Sequence, residues 1–486
     1  MDQHTSNSER KAMRLLACVA VFWSIFVATT TLMQTYGELR AGAYASSSVQ
    51  KNNVDAPLAM HTSSTVAPSL MGSTTLPTIS VDRCREITKP GKYILSRSLY
   101  DTTDEGACIS IHDTKDVALS CGGRSIVAKG ISEAIRVENV KNFRVETCTF
   151  AIDEGVQTTL YVASSSDGVF RRNTINGFLS TVIDSQRLTI DENVFHSVYQ
   201  QFFTHHSRIT NNRAAAALDK DMYTSPASVF LSAYGTDTII SSNIIDGSAP
   251  EGNFEIRVGA DEAIFIQDES GAVIEKNVMS DIWDCGIETS GKITNSRIEG
   301  NTINNAGFCG IGAWYYNTWI HNIVRNNQVS DTYQLFDIHQ EMGYRPSSTQ
   351  FGHLVPADEH TLIFKDNLFE NNSFVRPREG NEPNGGDRNR AGSFLIIPPG
   401  YVGEGQTMPK KEEIVASNNI FKNNNFGTQD PLFIEPLTLA VDGGGNICVS
   451  EGATDFPITC LSGSPESSDA SGPENWTWGG EGSGGY

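Results

Sequence analysis

Positive charge is scarce in this sequence. Lys and Arg number 36 against 57 Asp and Glu, the formal net charge is −21, and only 19% of residues are charged. So acidic a chain lacks the basic face that phosphates require, which excludes nucleic acid as a partner. It also argues against a surface that attracts acidic polysaccharides as a whole. No Cys and His are spaced as in a zinc site. What is abundant is glycine, 43 in 486 residues, in a chain whose length suits one extended core with tails rather than several domains.

The organising signal is a repeat. "IEKNVMSDIWDCGIETSG", from Ile274, is followed by "IEGNTINNAGFCGIGAWYYN", from Ile298, with Asn and Cys-Gly-Ile at matching offsets. An Asn before a hydrophobe recurs at Asn173, Asn193, Asn212, Asn243, Asn277, Asn301, Asn327, Asn367 and Asn419. The shortest separations are about twenty to twenty-six residues, and nearby hydrophobes such as Ile293, Ile298 and Ile303 alternate with polar residues. Such spacing predicts short strands, not helices. A unit this small cannot bury its apolar face alone, so successive coils must stack around a shared core. Asn suits this role because it tolerates left-handed backbone angles and its amide can bond to the equivalent amide one coil away. The expected fold is all-β, a parallel β-helix or solenoid.

With these repeats the chain resembles the right-handed parallel β-helix, or pectin lyase-like, proteins. The resemblance covers roughly Val81 to Asn446 and includes the opening "ITKPGKYILSRSL", from Ile87, and "ACISIHDTKDVALSCGGRSIVAKG", up to Gly130. It implies the architecture but not the function, since the fold hosts lyases, hydrolases, epimerases, adhesins and spike proteins. The paired-Asp and Gly-His-Gly signatures of polygalacturonases are not found, nor is the "DPHE"-like run of alginate epimerases. No catalytic residue carries over from a family motif.

Residues 15–33 form an uncharged segment after Arg10, Lys11 and Arg14. It is long enough to span a bilayer as an anchor with residues 1–14 in the cytoplasm. A cleaved signal is the alternative, with "AYA" at Ala43–Ala45 as a cleavage-like site. Both readings export the chain, giving a single-pass membrane protein with an extracytoplasmic C-terminal domain, or a secreted one. The expected order is then a Ser/Thr-rich stalk over 34–80, the β-helix over 81–446, a cap over 447–461 and an acidic tail over 462–486. Beyond Cys18 there are eight cysteines, Cys84, Cys108, Cys121, Cys148, Cys285, Cys309, Cys448 and Cys460. Coil alignment sets Cys121 over Cys148 and Cys285 over Cys309, while Cys448 and Cys460 bracket a terminal loop. These fit disulfides in an oxidising compartment, with buried reduced thiols as the alternative. Asn371 and Asn475 begin glycosylation sequons.

Function is sought where the repeat breaks, in the long insertions 340–361, 376–393 and 398–413. The second holds Arg376, Arg378, Arg388 and Arg390, suited to carboxylate or sulfate. One coil column is also marked. If Ile287, Ile311 and Ile338 point inward, Glu288, Gly312 and His339 share an outer face, with Gln267 on the preceding coil. Glu288 and His339 would then lie about 10 Å apart across a glycine gap wide enough for a sugar ring. Trp314, Tyr315 and Tyr316 offer faces for stacking on it. Asp284, Glu288, His339 and Glu341 are the candidates for acid–base chemistry. Their donors leave room for a cation such as calcium, although no cofactor is specified. The expected partner is a polysaccharide or surface glycan, bound or processed by lyase, hydrolase or epimerase chemistry. The competing reading is a non-catalytic adhesion or scaffold protein.

Overall fold

In the segment Arg297–Glu299 the sequence sets one hydrophobe, Ile298, between two charged residues, and a three-residue strand results with its centre buried. Strand side chains alternate between faces, so this is the smallest unit that turns one hydrophobe inward. The computed structural model describes residues 76–101, 106–129, 133–153, 158–215, 228–247, 260–313, 318–338, 362–377, 392–396, 414–427, 430–433, 440–448 and 460–462. Among them are forty strands and no helix. All lie in one unit, Pro68–Met342 with Thr361–Tyr486. The segment 15–33, the stalk up to residue 75 and the tail beyond Ser462 fall outside the described residues.

Each coil pairs in parallel with the next. Ile239–Ser241, Val273–Glu275, Arg297–Glu299, Ile323–Arg325, Leu368–Glu370 and Asn419–Lys422 stack as one column. Ile244–Asp246, Val278–Ile282, Thr302–Ala306, Gln328–Thr332 and Ser373–Pro377 form a second. A third contains Phe230–Ala233, Ile264–Gln267, Ile287–Ser290, Cys309–Ala313 and Gln334–Ile338. The interior is filled by columns of Ile, Val and Phe. Later coils place Trp319, Phe369 and Phe421 in a stack, the last two rings 4.6 Å apart and 8° from parallel.

The recurrent Asn side chains form ladders, with two differences from the sequence expectation. Asn173, Asn193, Asn212, Asn243, Asn277, Asn301 and Asn327 form one run that continues through Asn372, Asn424 and Asn446. Each Nδ2 donates to the next Oδ1 at 2.9–3.2 Å. Asn367 and Asn419 instead belong to a second ladder that starts at Asn322. The later coils have two corners of this chemistry, and the dipeptide pattern does not distinguish them. The left-handed backbone, moreover, belongs to the residue before the ladder Asn: Lys276, Asn326, Asn371 and Asn423 have φ of 56°, 56°, 56° and 54°.

Asn277 shows why the ladder residue is fixed. Its Nδ2 donates to Ile240 O at 2.9 Å and to Asn301 Oδ1 at 3.0 Å, while its Oδ1 accepts from Asn243 N and Nδ2. Replacing it leaves several buried partners unsatisfied at about 1–3 kcal/mol each, partly relieved by relaxation. Asn277→Ala is therefore expected to cost about 3 kcal/mol in urea unfolding. A loss below about 0.5 kcal/mol, the range of a neutral surface change, would show that backbone pairing alone holds the stack.

Disulfides fasten adjacent coils at Cys84–Cys108, Cys121–Cys148 and Cys285–Cys309, with sequence separations of 24, 27 and 24. The alternative of reduced thiols is thereby overturned for these six. Cys448 is also disulfide-bonded; the side chain of Cys460 lies outside the described residues.

Candidate functional site

The third strand column carries the site. Ile287 pairs with Ile264 on one side and Ile311 on the other, so Phe265, Glu288 and Gly312 form one outward line. The next coil pairs Ile311 with Phe336 and Gly312 with Asp337. The residue across the glycine gap from Glu288 is therefore Asp337, not His339. On the other side Gln267 pairs with Ser290, so it does not adjoin Glu288 in register. Both corrections are displacements of two residues. Ile264 and Ile266, like Phe336 and Ile338, are all buried, and a slip of two keeps every side chain on its own face, so the hydrophobic pattern allows either register.

Carboxyl groups from several coils gather beside this line. The backbone N–H of Asp284 donates to Asp261 O at 2.8 Å, which sets these two acids on adjacent coils. Glu288 follows four residues after Asp284 and is 3% exposed; Glu262, Asp284 and Asp337 are also buried, while Asp261 is partly exposed. Donor oxygens of Asp261, Glu262 and Asp284 lie within 4.8 Å of one another, as do those of Asp284 and Glu288 with Cys285 Sγ. The Ser228 hydroxyl donates to Glu262.

Glu288 is the outlier. Among the described residues its carboxyl has no hydrogen-bond partner. Burial, then the negative charges of Glu262, Asp284, Asp261 and Asp337, hold it well above the ordinary carboxylate range. Both causes favour the protonated form of the carboxyl.

Beneath the acids lies the Cys285–Cys309 disulfide, covered by Trp283 and Phe308, whose rings are 5.5 Å apart. Cys285 Sγ is 3.4 Å from Asp284 Oδ1, but as half of a disulfide it has neither a proton to donate nor a thiolate for a metal. The spacing of the Asp261, Glu262 and Asp284 oxygens is compatible with the oxygen shell of a hard cation such as calcium. Gly286 and Gly310 sit where a Cβ would lie 2.5 Å from Ile303 and 2.6 Å from Val329, which ties both Cys-Gly-Ile segments to the core.

Of the residues singled out in sequence, the structure brings together Asp284 and Glu288. His339, Glu341, Trp314, Tyr315, Tyr316, Arg378, Arg388 and Arg390 lie outside the described residues. Arg376 is described only as backbone, paired with Ser330. Sequence reasoning missed Asp261, Glu262 and Asp337. Asp261 was within reach: it precedes Ile264 by three positions, as Asp284 precedes Ile287.

Stacked parallel coils define a β-helix protein, and the acidic cluster beside its third strand column is the candidate site. Residues 133–351 match the family model of the right handed beta helix region, in agreement with the resemblance read from the repeats. No curated protein matches the chain. Among solved structures it is similar to the catalytic domain of an alpha-1,3-glucanase in complex with nigerose, at 12% identity and a TM-score of 0.40, covering 76% of this chain and 63% of that one. It is also similar to the A-module of a mannuronan C-5 epimerase from Azotobacter vinelandii, at 12% identity and a TM-score of 0.31, covering 77% and 91%. A third is DFA-IIIase from Arthrobacter chlorophenolicus A6 in complex with DFA-III, at 10% identity and a TM-score of 0.38, covering 72% and 75%. Identities this low leave the chemistry to be read from the side chains.

Proposed function

We propose that this β-helix binds a glycan at the Glu288 cluster and hydrolyses it with paired carboxyl groups. The observation that carries the reading is Glu288: buried, without a hydrogen-bond partner among the described residues, and surrounded by acids that favour its protonated form. A carboxyl kept protonated beside other carboxyl groups is the arrangement of a general acid. In the proposed step Glu288 gives its proton to the glycosidic oxygen as the bond from that oxygen to the anomeric carbon breaks. Asp337, two strands away across Gly312, takes a proton from the water that attacks the same carbon. Two strand spacings amount to about 10 Å between backbones, which is nearer to the wider carboxyl separation of inverting hydrolysis than to the roughly 5 Å of retaining enzymes.

Export is part of the same reading. The disulfides support an oxidising compartment, and residues 15–33 serve as anchor or signal. The non-catalytic alternative, a surface scaffold that only binds, draws support from the depth of the cluster, where Asp261 alone of the five acids is partly exposed. Incubating the purified chain with a panel of glycans, while following new reducing ends and unsaturated products, tests the choice. New reducing ends without unsaturation are expected. Unsaturated products would mean a lyase, and binding without turnover would mean the scaffold.

A further inference from the structure

Two residues break a rule that the other left-handed positions of the stack obey. Among the described residues, every non-glycine side chain at positive φ is polar or charged except Phe203 and Tyr234, with φ of 52° and 60°. A bulky side chain is strained in this region, where the Cβ crowds the following carbonyl and no local hydrogen bond compensates. The two residues occupy the same turn of adjacent coils: the backbone N–H of Phe203 donates to Ala233 O, and that of Tyr234 to Gln267 O. Their rings stack 5.0 Å apart and 17° from parallel. Neither belongs to the core, unlike the stacked Trp319, Phe369 and Phe421, and both are partly exposed. Asp184 and Asp268 hold the same turn on the coils before and after, so the ring stack ends with these two. Asp268 Oδ1 accepts from Lys292 N at 2.9 Å and so leans to the following coil, away from Tyr234.

We propose that Phe203 and Tyr234 form a platform on which an uncharged pyranose ring of the glycan stacks, a subsite that rests on the carbohydrate reading of the Glu288 cluster. A flat aromatic pair suits a sugar, whose face carries C–H groups and whose rim carries the hydroxyls. The acids of the flanking coils disfavour a uronate ring there. Position supports the same reading. Leu231, Phe265 and Glu288 pair in one outward line, and Tyr234 follows Leu231 by three residues. The platform therefore lies about 10 Å from Glu288 along the stack and about 10 Å across it, within reach of one short oligosaccharide. Backbone strain of this kind persists at ligand sites, where the surrounding structure imposes it. A binding role accounts for rings at two turns that the rest of the stack gives to polar residues.

The test is equilibrium binding of the whole chain to cellohexaose, laminarihexaose, mannohexaose and hexagalacturonate, with Phe203→Asn and Tyr234→Asn as variants. Asn recurs at these left-handed positions, so each change eases the backbone while removing a ring. A neutral hexasaccharide is expected to bind, and each variant to weaken it by about tenfold or more, with the urea midpoint unchanged or raised. Turnover of the hydrolysed glycan should show a higher KM at unaltered kcat. In the parent, magnetic saturation transferred from aromatic protons should fall mainly on the ring C–H protons of the sugar, a readout that needs no variant. It decides the matter where a variant loses stability along with affinity. Even saturation over ring and hydroxymethyl protons, or a preference for hexagalacturonate, overturns the platform. So does full affinity in both variants; a lowered urea midpoint would then make the ring pair a brace between coils. Each of these outcomes can occur with hydrolysis intact, which leaves the hydrolase reading in place. Binding lost in the variants without turnover in the parent keeps the platform and removes the hydrolysis. Failure of all four oligomers to bind overturns the platform, whatever the glycan panel shows of hydrolysis.

Discussion

Glu288→Gln is expected to lower turnover of the hydrolysed glycan by about a thousandfold, within the roughly 10²–10⁴ that a positioned general acid contributes. Gln keeps the volume of the side chain and loses only the transferable proton, so KM should move little. The pH profile carries the more specific signature. Because burial and the neighbouring acids hold the Glu288 carboxyl well above its ordinary range, the parent should keep activity above the pH at which an ordinary carboxyl ionises and lose it as pH rises through that raised value. The variant's residual activity should lack this alkaline limb. Stability gives an independent check with its own sign. A carboxyl whose pKa is raised on folding stabilises the native state at low pH, and that contribution falls as pH rises. Glu288→Gln should therefore match the parent in acid and exceed it in alkali. Unchanged turnover would remove Glu288 from the chemistry, whatever the stability data show.

How far this site was legible in the sequence depends on which physical signal carried each residue. Cys285 over Cys309 and Glu288 over Gly312 were legible because Cys-Gly-Ile recurs at a fixed offset and fixes both register and face. Asp337 was not, because the next coil has no Cys-Gly-Ile and offers two buried hydrophobes, Phe336 and Ile338, either of which can take the inward place. The Asn repeat disclosed the stacking but not that its members divide between two ladders, since both corners follow a left-handed residue with a buried Asn. Trp314, Tyr315 and Tyr316 were chosen for chemical type rather than for position in the repeat, and no periodicity fixes where such a side chain lies.

Glu269 is the clearest case of a residue hidden from sequence reasoning, and it carries the second large effect. In "QDESGAV" it reads as one more acid in a surface turn, yet it is 1% exposed inside the stack. Ser232 and Thr238 hydroxyls donate to its carboxyl, and Gln201 Nε2 donates to Ser232 Oγ at 2.8 Å. Gly235 makes the space, since a Cβ there would lie 2.6 Å from Glu269 Oε1 and 2.4 Å from Thr204 O. Burial pushes the carboxyl up to about 8; the two hydroxyls oppose this rise, and the charges of Asp237 and Asp268 reinforce it. The folded value lies above the unfolded one, so the native state holds a proton that the unfolded chain has released. This contribution is complete below the ordinary Glu value near 4.5 and is lost as pH rises towards 8. At roughly 1.4 kcal/mol for each pH unit that separates the folded and unfolded values, the loss across that window is on the order of 5 kcal/mol. Urea unfolding of the parent from mildly acid to mildly alkaline pH should show this decline on top of other titrations. Glu269→Gln, which keeps the side-chain volume and an acceptor oxygen for the hydroxyls, should remove most of it and be the more stable protein at alkaline pH. Parallel slopes for the two proteins would mean that water or local opening solvates the Glu269 carboxyl and that its burial sets no pH limit on the fold.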